Sequence, residues 1–143
     1  MVEIAELKPE HYSQIVEVWK DAGLPFKPLG RDRFEEMKRQ MERNPDLFVG
    51  AFVDGELVGV GIGSEDGRKG WINRIAVKKK WQRHGIATRL IHEIEQRLRS
   101  RGLRIICVLI EAGNESSLSL FQKEGYVLHR DIYYLSKRDS EEV

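Results

Sequence analysis

The stretch Trp71 to Ile91, WINRIAVKKKWQRHGIATRLI, constrains the fold more than any other feature, because its apolar period changes partway along. Trp71 to Val77 reads as a strand. From about Gly85 to Arg101 the apolar residues Ile86, Leu90, Ile91, Ile94 and Leu98 recur at the spacing of one helix face, with Gly102 as terminator. A strand that feeds an amphipathic helix through a short turn calls for a sheet with a helix packed on it. Lys78, Lys79, Lys80, Gln82, Arg83 and His84 fill the turn, so positive charge collects where the helix begins. The first helical turn also has free main-chain N–H groups and the positive end of the macrodipole. A pyrophosphate binds well there if the backbone can be approached closely. Gly85 and Ala87 remove bulk at that point, and Thr88 offers a hydroxyl. The pattern matches neither the P-loop nor the dinucleotide glycine fingerprint. An ordinary solvated basic turn is the alternative reading.

The rest of the chain supplies the elements such a sheet needs. Val2 to Leu7 alternates as a short strand. A helix follows from about Pro9, with Ile15, Val16, Val18 and Trp19 on one face, stopped by Gly23 and Pro25. Asp32 is the expected N-cap of a second helix to about Arg43, with Glu35 completing a capping-box pattern. Leu47 to Val53 and Leu57 to Gly63 flank Asp54-Gly55, a hairpin signal. Gly59, Gly61 and Gly63 alternate within a strand, where they mark close packing or a bulge. Arg104 to Ile110 is expected as a buried central strand, Asn114 to Glu124 as a short helix, and Tyr126 to Leu135 as one or two last strands. The expected fold class is mixed α/β in a single domain over residues 1–143. Its mixed sheet has six or seven strands and about four flanking helices.

Charge and composition exclude several functions. With 24 Lys and Arg against 23 Asp and Glu the net charge is +1, so no whole-protein field draws the chain to nucleic acid or membrane. The basic turn has a single aromatic residue, Trp81, and no interleaved aromatic platform, which also argues against a nucleic-acid partner. No apolar run approaches the roughly 18 residues of a membrane span. Cys107 is the only cysteine, so no internal disulfide forms, and the N-terminal residues have no signal-peptide pattern. The expected location is cytoplasmic. His11, His84, His92 and His129 show no metal-ligand spacing, so no metal is expected.

A second segment, Asn114 to Tyr126 (NESSLSLFQKEGY), lies about thirty residues beyond the turn. Together the two segments resemble the GNAT acetyltransferase superfamily. Gln82, Arg83, His84, Gly85, Ile86 and Ala87 match its [QR]-x-x-G-x-[GA] motif. Asn114, Leu120, Phe121, Gly125 and Tyr126 match or nearly match its N-x-x-A-x-x-L-Y-x-x-x-G-F segment, with Ser117 in place of alanine. The resemblance implies acetyl-CoA as cosubstrate and acetyl transfer to a primary amine by direct attack. It implies that the backbone of Ile75, Ala76 and Val77 pairs with the pantetheine arm. Amides from Arg83 to Thr88 hold the pyrophosphate, and Asn114 contacts the pantetheine or orders its loop. It also implies a splay between the fourth and fifth strands.

Phe121 stands where many members carry a tyrosine that protonates the departing thiolate, and phenylalanine has no proton to give. A thiol pKa near ~8.5 makes the thiolate a tolerable leaving group without an acid. The amine, water, Tyr126 or Tyr134 could instead supply the proton. A non-catalytic acyl-CoA-binding or regulatory module is the alternative function. Glu111, at the end of the fifth strand, is the leading carboxylate candidate for general base, against a solvated strand-end residue. Asn73 is placed to position a water, against a sheet-surface contact. Cys107 is expected as a small buried hydrophobe, and Trp19 and Trp71 as core. The resemblance implies that the acceptor, a small-molecule or peptide amine, enters near Leu24 to Arg33 and Ile132 to Leu135, where the cationic loop would favour a carboxylate or phosphate, against an ordinary surface loop between helices. A homodimer through the last strands or a sheet edge is open.

Overall fold

The structure is a computed structural model that describes residues 1–143. Five strands form one mixed sheet in sequence order: β1 (Val2–Glu6), β2 (Phe48–Val53), β3 (Glu56–Glu65), β4 (Gly70–Val77) and β5 (Ile106–Val108). The first four pair antiparallel, and β5 joins β4 in parallel. The helices are α1 (Tyr12–Ala22), α2 (Phe34–Arg43), α3 (Ile86–Ser100) and α4 (Glu115–Lys123). A 3-10 turn over Pro9–His11 leads into α1.

Each face of the sheet has its own core. Ile15, Val18 and Trp19 of α1 and Met37 and Met41 of α2 pack against Val60 and Ile62 on one face. On the other, Ile86, Leu90, Ile91, Ile94 and Leu98 of α3 cover Val49, Val58 and Ile72. All five of these α3 residues are buried, as the helical spacing predicts.

The alternating glycines of β3 explain how α3 lies so close. A Cβ added at Gly59 would come within 3.1 Å of Ile86 and Leu90, and one at Gly61 or Gly63 within 2.8 Å of Ile94. On the next strand, a Cβ at Gly70 would meet Leu98 at 2.8 Å. These strand positions are the seat of the helix.

Register in β4 contains one irregularity with large consequences. Ile62 pairs with Arg74 but Gly63 pairs with Ile72, so Asn73 is an extra residue, a β-bulge. Side chains two apart on a regular strand share a face. Here Ile72 packs in the α3 core, while Ala76 joins the α1 and α2 core and Arg74 stacks on Trp19 of α1. The bulge has exchanged the faces.

Several expectations need correction. The sheet has five strands rather than six or seven, because residues after Tyr126 form no strand. Their N–H groups make no main-chain hydrogen bond within the chain, and Val127, Ile132, Tyr133, Tyr134 and Leu135 stand exposed. Apolar and aromatic residues favour a strand, but a strand needs a partner edge. The fifth strand is confined to Ile106–Val108 and lies at the sheet edge, so Arg104 to Ile110 is not a buried central strand. Cys107 and Trp71 are consequently half-buried rather than core. Asp32 does not cap α2: Arg33 holds the N-cap position with no side-chain cap, and no capping box forms with Glu35.

Gly63→Ala should destabilise the protein by about 1–3 kcal/mol, because the new methyl meets the branched Cγ2 of Ile94. Gly61→Ala should cost less, since there the clash is with the mobile Cδ1 end of the same side chain. Urea denaturation of both variants checks the order; equal or reversed losses would contradict the packing.

Candidate functional site

Three features meet around the carboxyl end of β4. The first is an open strand edge. β5 pairs with β4 only at Gly70, Trp71 and Ile72, and leaves after Val108. From Asn73 onward β4 is bonded to β3 alone. Ile75, Ala76 and Val77 therefore lie beside an unpaired edge able to accept an extended polar chain, and the two strands part as expected. The Val77 carbonyl is the exception, since it accepts a hydrogen bond from Gln82 Nε2 at 3.0 Å. Gln82 therefore ties the turn to the strand end.

The second feature is the turn itself. Arg83 and Gly85 have positive φ, 66° and 78°. Only glycine tolerates this region freely, so the Arg83 backbone is strained. Residues in such a conformation curl the chain into concave nests of N–H groups. None of the amides from Arg83 through Thr88 donates to a protein group, and α3 has no side-chain N-cap. Unsatisfied donors, a helix dipole and no Cβ at Gly85 are features that could hold an anion. The His84 Nδ1–H group donates to the main-chain oxygens of Trp81 and Gln82, at 3.1 and 2.9 Å, and so fixes the ring. Lys78 is committed elsewhere, to Glu56 at 3.1 Å and Glu17 at 3.6 Å. Burial pulls its ammonium pKa down, but those two carboxylates outweigh it and hold it above the ordinary lysine value. Lys79 and Lys80 remain exposed.

The third feature is a pocket of about 280 Å³ on the α1 and α2 side, lined by Arg31, Asp32, Gln40, Asn73 and Arg74 over an apolar floor of Met37 and Ile62. Asp32 is the one charged residue in the buried set. Its Oδ2 accepts from the Lys27 amide at 2.6 Å and from Arg74 Nη2 at 3.0 Å, while Oδ1 has no protein donor. Arg74 also stacks on Trp19, with its guanidinium carbon 4.5 Å from the ring centre. Burial draws the Arg74 pKa below the usual arginine value, and Asp32 works against that. Tyr12 of α1 donates its hydroxyl to the Asp32 carbonyl at 2.7 Å, which fixes the loop before α2. Sequence reasoning missed Asp32 and Arg74 as site residues. Their pairing spans 42 positions and depends on the bulge, which no local pattern announces.

The other expected residues are dispersed. Asn73 is exposed on the bulge and donates to Ser64 Oγ at 2.9 Å. Asn114 caps α4, accepting from the Ser117 amide at 3.2 Å. Glu111 lies exposed beyond β5, and its side chain makes no hydrogen bond or ion pair. Phe121 is buried in the α3 core, edge-on to Tyr126 with ring centres 5.1 Å apart. The Tyr126 hydroxyl donates to Glu95 Oε2 at 2.5 Å. Burial first, and then Glu95, push its pKa well above the ordinary tyrosine value. Tyr134 is exposed. No group of three or more His, Cys, Asp and Glu is arranged to hold a metal ion, and no helix is long and apolar enough to cross a membrane.

The sequence profile of the Acetyltransferase (GNAT) family matches residues 12–126, from α1 to the end of the Asn114 segment. The chain belongs to the GNAT acetyltransferase family. A relative of this GNAT protein, Acetyltransferase SG1711 of Sodalis glossinidius (strain morsitans), is 28% identical over 137 residues, covering 96% of this chain and 95% of its own. Among solved structures, the PaiA N-acetyltransferase of Thermoplasma acidophilum in complex with coenzyme A superposes with a TM-score of 0.80 at 21% identity, covering 90% of this chain and 91% of its own. AAC(6')-Iy, bound to a bisubstrate analogue of coenzyme A and acetylneamine, gives 0.79 at 16% identity over 96% and 99%. These likenesses establish the mixed α/β GNAT fold.

Gly85→Asp should weaken acetyl-CoA binding at least tenfold, about 1.4 kcal/mol, at a modest cost in stability, because aspartate tolerates the left-handed region better than most residues. Gly85→Asn, of similar bulk and left-handed tolerance, should retain most of the affinity. Calorimetric titration of both variants decides the matter, and equal losses would point to shape rather than charge.

Proposed function

We propose that this GNAT protein is an N-acetyltransferase that moves the acetyl group of acetyl-CoA to a primary amine of a small molecule or peptide. The observation that carries this reading is the run of unsatisfied amides from Arg83 through Thr88 beside the free edge of β4. The amides suit the diphosphate. The edge at Ile75, Ala76 and Val77 suits the pantetheine arm, whose amides would add to β4 as a short strand. Acceptors in similar folds, an aminoglycoside derivative in AAC(6')-Iy and a Gag peptide in the NatC complex, are of the kind proposed.

In the proposed reaction a neutral amine attacks the thioester carbonyl. A C–N bond forms, the C–S bond breaks, and coenzyme A leaves as its thiolate. The amine loses its proton to water and then to solvent. Positioning and main-chain donors at the β4 edge supply the acceleration. Phe121 has no hydroxyl, and of the two hydroxyl candidates for a general acid Tyr126 already donates to Glu95 while Tyr134 stands exposed beyond it. Thiolate departure without a tyrosine acid is the expected course. Glu111 and Asn73 stay in the proposal only as residues that orient water.

The unpaired segment from Val127 to Leu135 supports a homodimer. Its N–H groups make no main-chain bond in the chain, and its apolar side chains are exposed. Antiparallel pairing about a two-fold axis between Arg130 and Asp131 would set each arginine opposite the other copy's aspartate. Light scattering should give twice the chain mass of 16.6 kDa, and Ile132→Asp should lower it to the monomer; a native monomer would end this idea.

The function itself is tested by incubating the protein with acetyl-CoA and an amine panel while following free thiol. Acceptor-dependent thiol release is expected. Phe121→Tyr should change kcat less than about threefold, because that side chain lies in the core. Tight acetyl-CoA binding with no release for any amine would favour the non-catalytic module.

A further inference from the structure

We propose that residues 139–143 are a regulatory strap: seated on the loop before α2 they restrict entry of the amine, and released they admit it. This rests on the proposed acetyl transfer, with the amine entering beside that loop as the family resemblance implies. The seat is visible at one glycine. Gly30 is buried although its neighbours Leu29 and Arg31 are exposed. What covers it is the far end of the chain. A Cβ added at Gly30 would come within 2.6 Å of Val143 Cα and would also strike the Glu142 carbonyl oxygen. Both are main-chain atoms, so no flexible side chain can give way. Gly30 has no left-handed φ, unlike Gly23 at 74°, so its own backbone conformation does not call for glycine. The strap lying on it does.

Two side chains of the same loop complete the seat. Lys27 Nζ donates to the Glu141 carbonyl oxygen at 2.7 Å, and Arg31 Nη1 to the Val143 oxygen at 3.4 Å. Arg138 Nη1 donates to that same Val143 oxygen at 3.1 Å, and the Glu142 amide to Ser140 Oγ at 3.2 Å, so the strap is folded on itself where it lands. Asp139, Glu141 and Glu142 bring negative charge to Lys27 and Arg31, which favours the landing. The loop held in this way is also the pocket rim. The Lys27 amide donates inward to Asp32 while its ammonium reaches outward to the strap, and Arg31 lines the pocket while it holds Val143. The chain reaches the seat from the opposite face of the sheet, since Tyr126 packs in the α3 core. It crosses on the side where β4 and β5 part, because the loop meets the sheet at Arg74 of β4 and α4 follows β5. Solvent-exposed contacts such as these are individually weak, so seated and released forms exchange. An amine that enters only the released form has its apparent KM raised in proportion to the seated population.

The test has a structural arm and a kinetic arm. Backbone NMR relaxation should show residues 140–143 ordered in the native chain. Gly30→Val should make them mobile while the Asp32 and Arg74 signals stay in place. In the kinetic arm, thiol release is followed with an aminoglycoside, a polyamine, an amino acid and a peptide with a free amino end. A chain shortened to Arg138 should show an amine KM at least about threefold lower than the native chain, with kcat and the KM for acetyl-CoA unchanged. The pentapeptide Asp-Ser-Glu-Glu-Val added to the shortened chain should raise the amine KM again. Residues 140–143 as mobile in the native chain as in Gly30→Val, or the same amine KM in the native and shortened chains, would overturn the inference. If neither chain releases thiol with any amine, the acetyl-transfer reading itself fails, and the role of the strap fails with it.

Discussion

One extra residue in β4 organises the working end of this molecule. Without the bulge at Asn73, Arg74 would fall on the same face as Ile72, against the hydrophobic underside of α3, where a guanidinium has no counter-charge. With it, Arg74 turns under α1 to meet Asp32 and Trp19. A buried arginine without its carboxylate, or the carboxylate without its arginine, would be strongly destabilising. The face exchange, the ion pair and the loop before α2 therefore stand or fall together. At the same position β4 parts from β5, so a local irregularity of the backbone yields both a pocket wall and an open strand edge.

The opposite face follows a simpler logic. α3 approaches the sheet as closely as bare glycines allow, and its first turn is thereby set at a fixed height above the end of β4. Gln82 fastens the intervening turn to the Val77 carbonyl, and the Lys79 amide donates to Asp21 of α1 at 2.7 Å. The strain at Arg83 persists because this surrounding framework over-determines the turn. The amides that point outward are thus held in place before any ligand arrives, which is the condition under which hydrogen-bond donors bind most effectively.

The elements dominated by local pattern were legible in the sequence. The five inward residues of α3, the Asp54-Gly55 hairpin and the close-packing role of the β3 glycines all follow from spacing and side-chain size. The strand–turn–helix around Gly85 was legible for the same reason, since strand, glycine and helix adjoin in sequence. Asp32 was misread because a local rule, the N-cap, competes with a partner 42 residues away. The bulge at Asn73 was invisible because no residue in Trp71 to Val77 demands it; only the side-chain destinations on the two faces reveal it. The last strands were expected from the apolar composition of Tyr126 to Leu135, which specifies strand-forming residues but not an edge to pair with. Tyr126 and Phe121 illustrate a further limit: a motif locates a side chain along the chain, but burial and Glu95 decide what its hydroxyl, or lack of one, can do.

The seating of α3 on glycine also bears on how the protein fails. A helix whose inward residues are all buried does not detach by itself; it opens only when the domain melts. The cluster of unsatisfied amides at its first turn therefore has no separately unfolded form, and a ligand bound there would stabilise the entire cooperative unit by its binding free energy. The pocket beyond Asp32 is built differently, since its rim belongs to the exposed loop before α2 and to a backbone bulge. Over a lineage, the first region would tolerate few changes at once, while the second could drift in charge and shape with little penalty to the fold. One scaffold can in this way hold one region constant while the other changes.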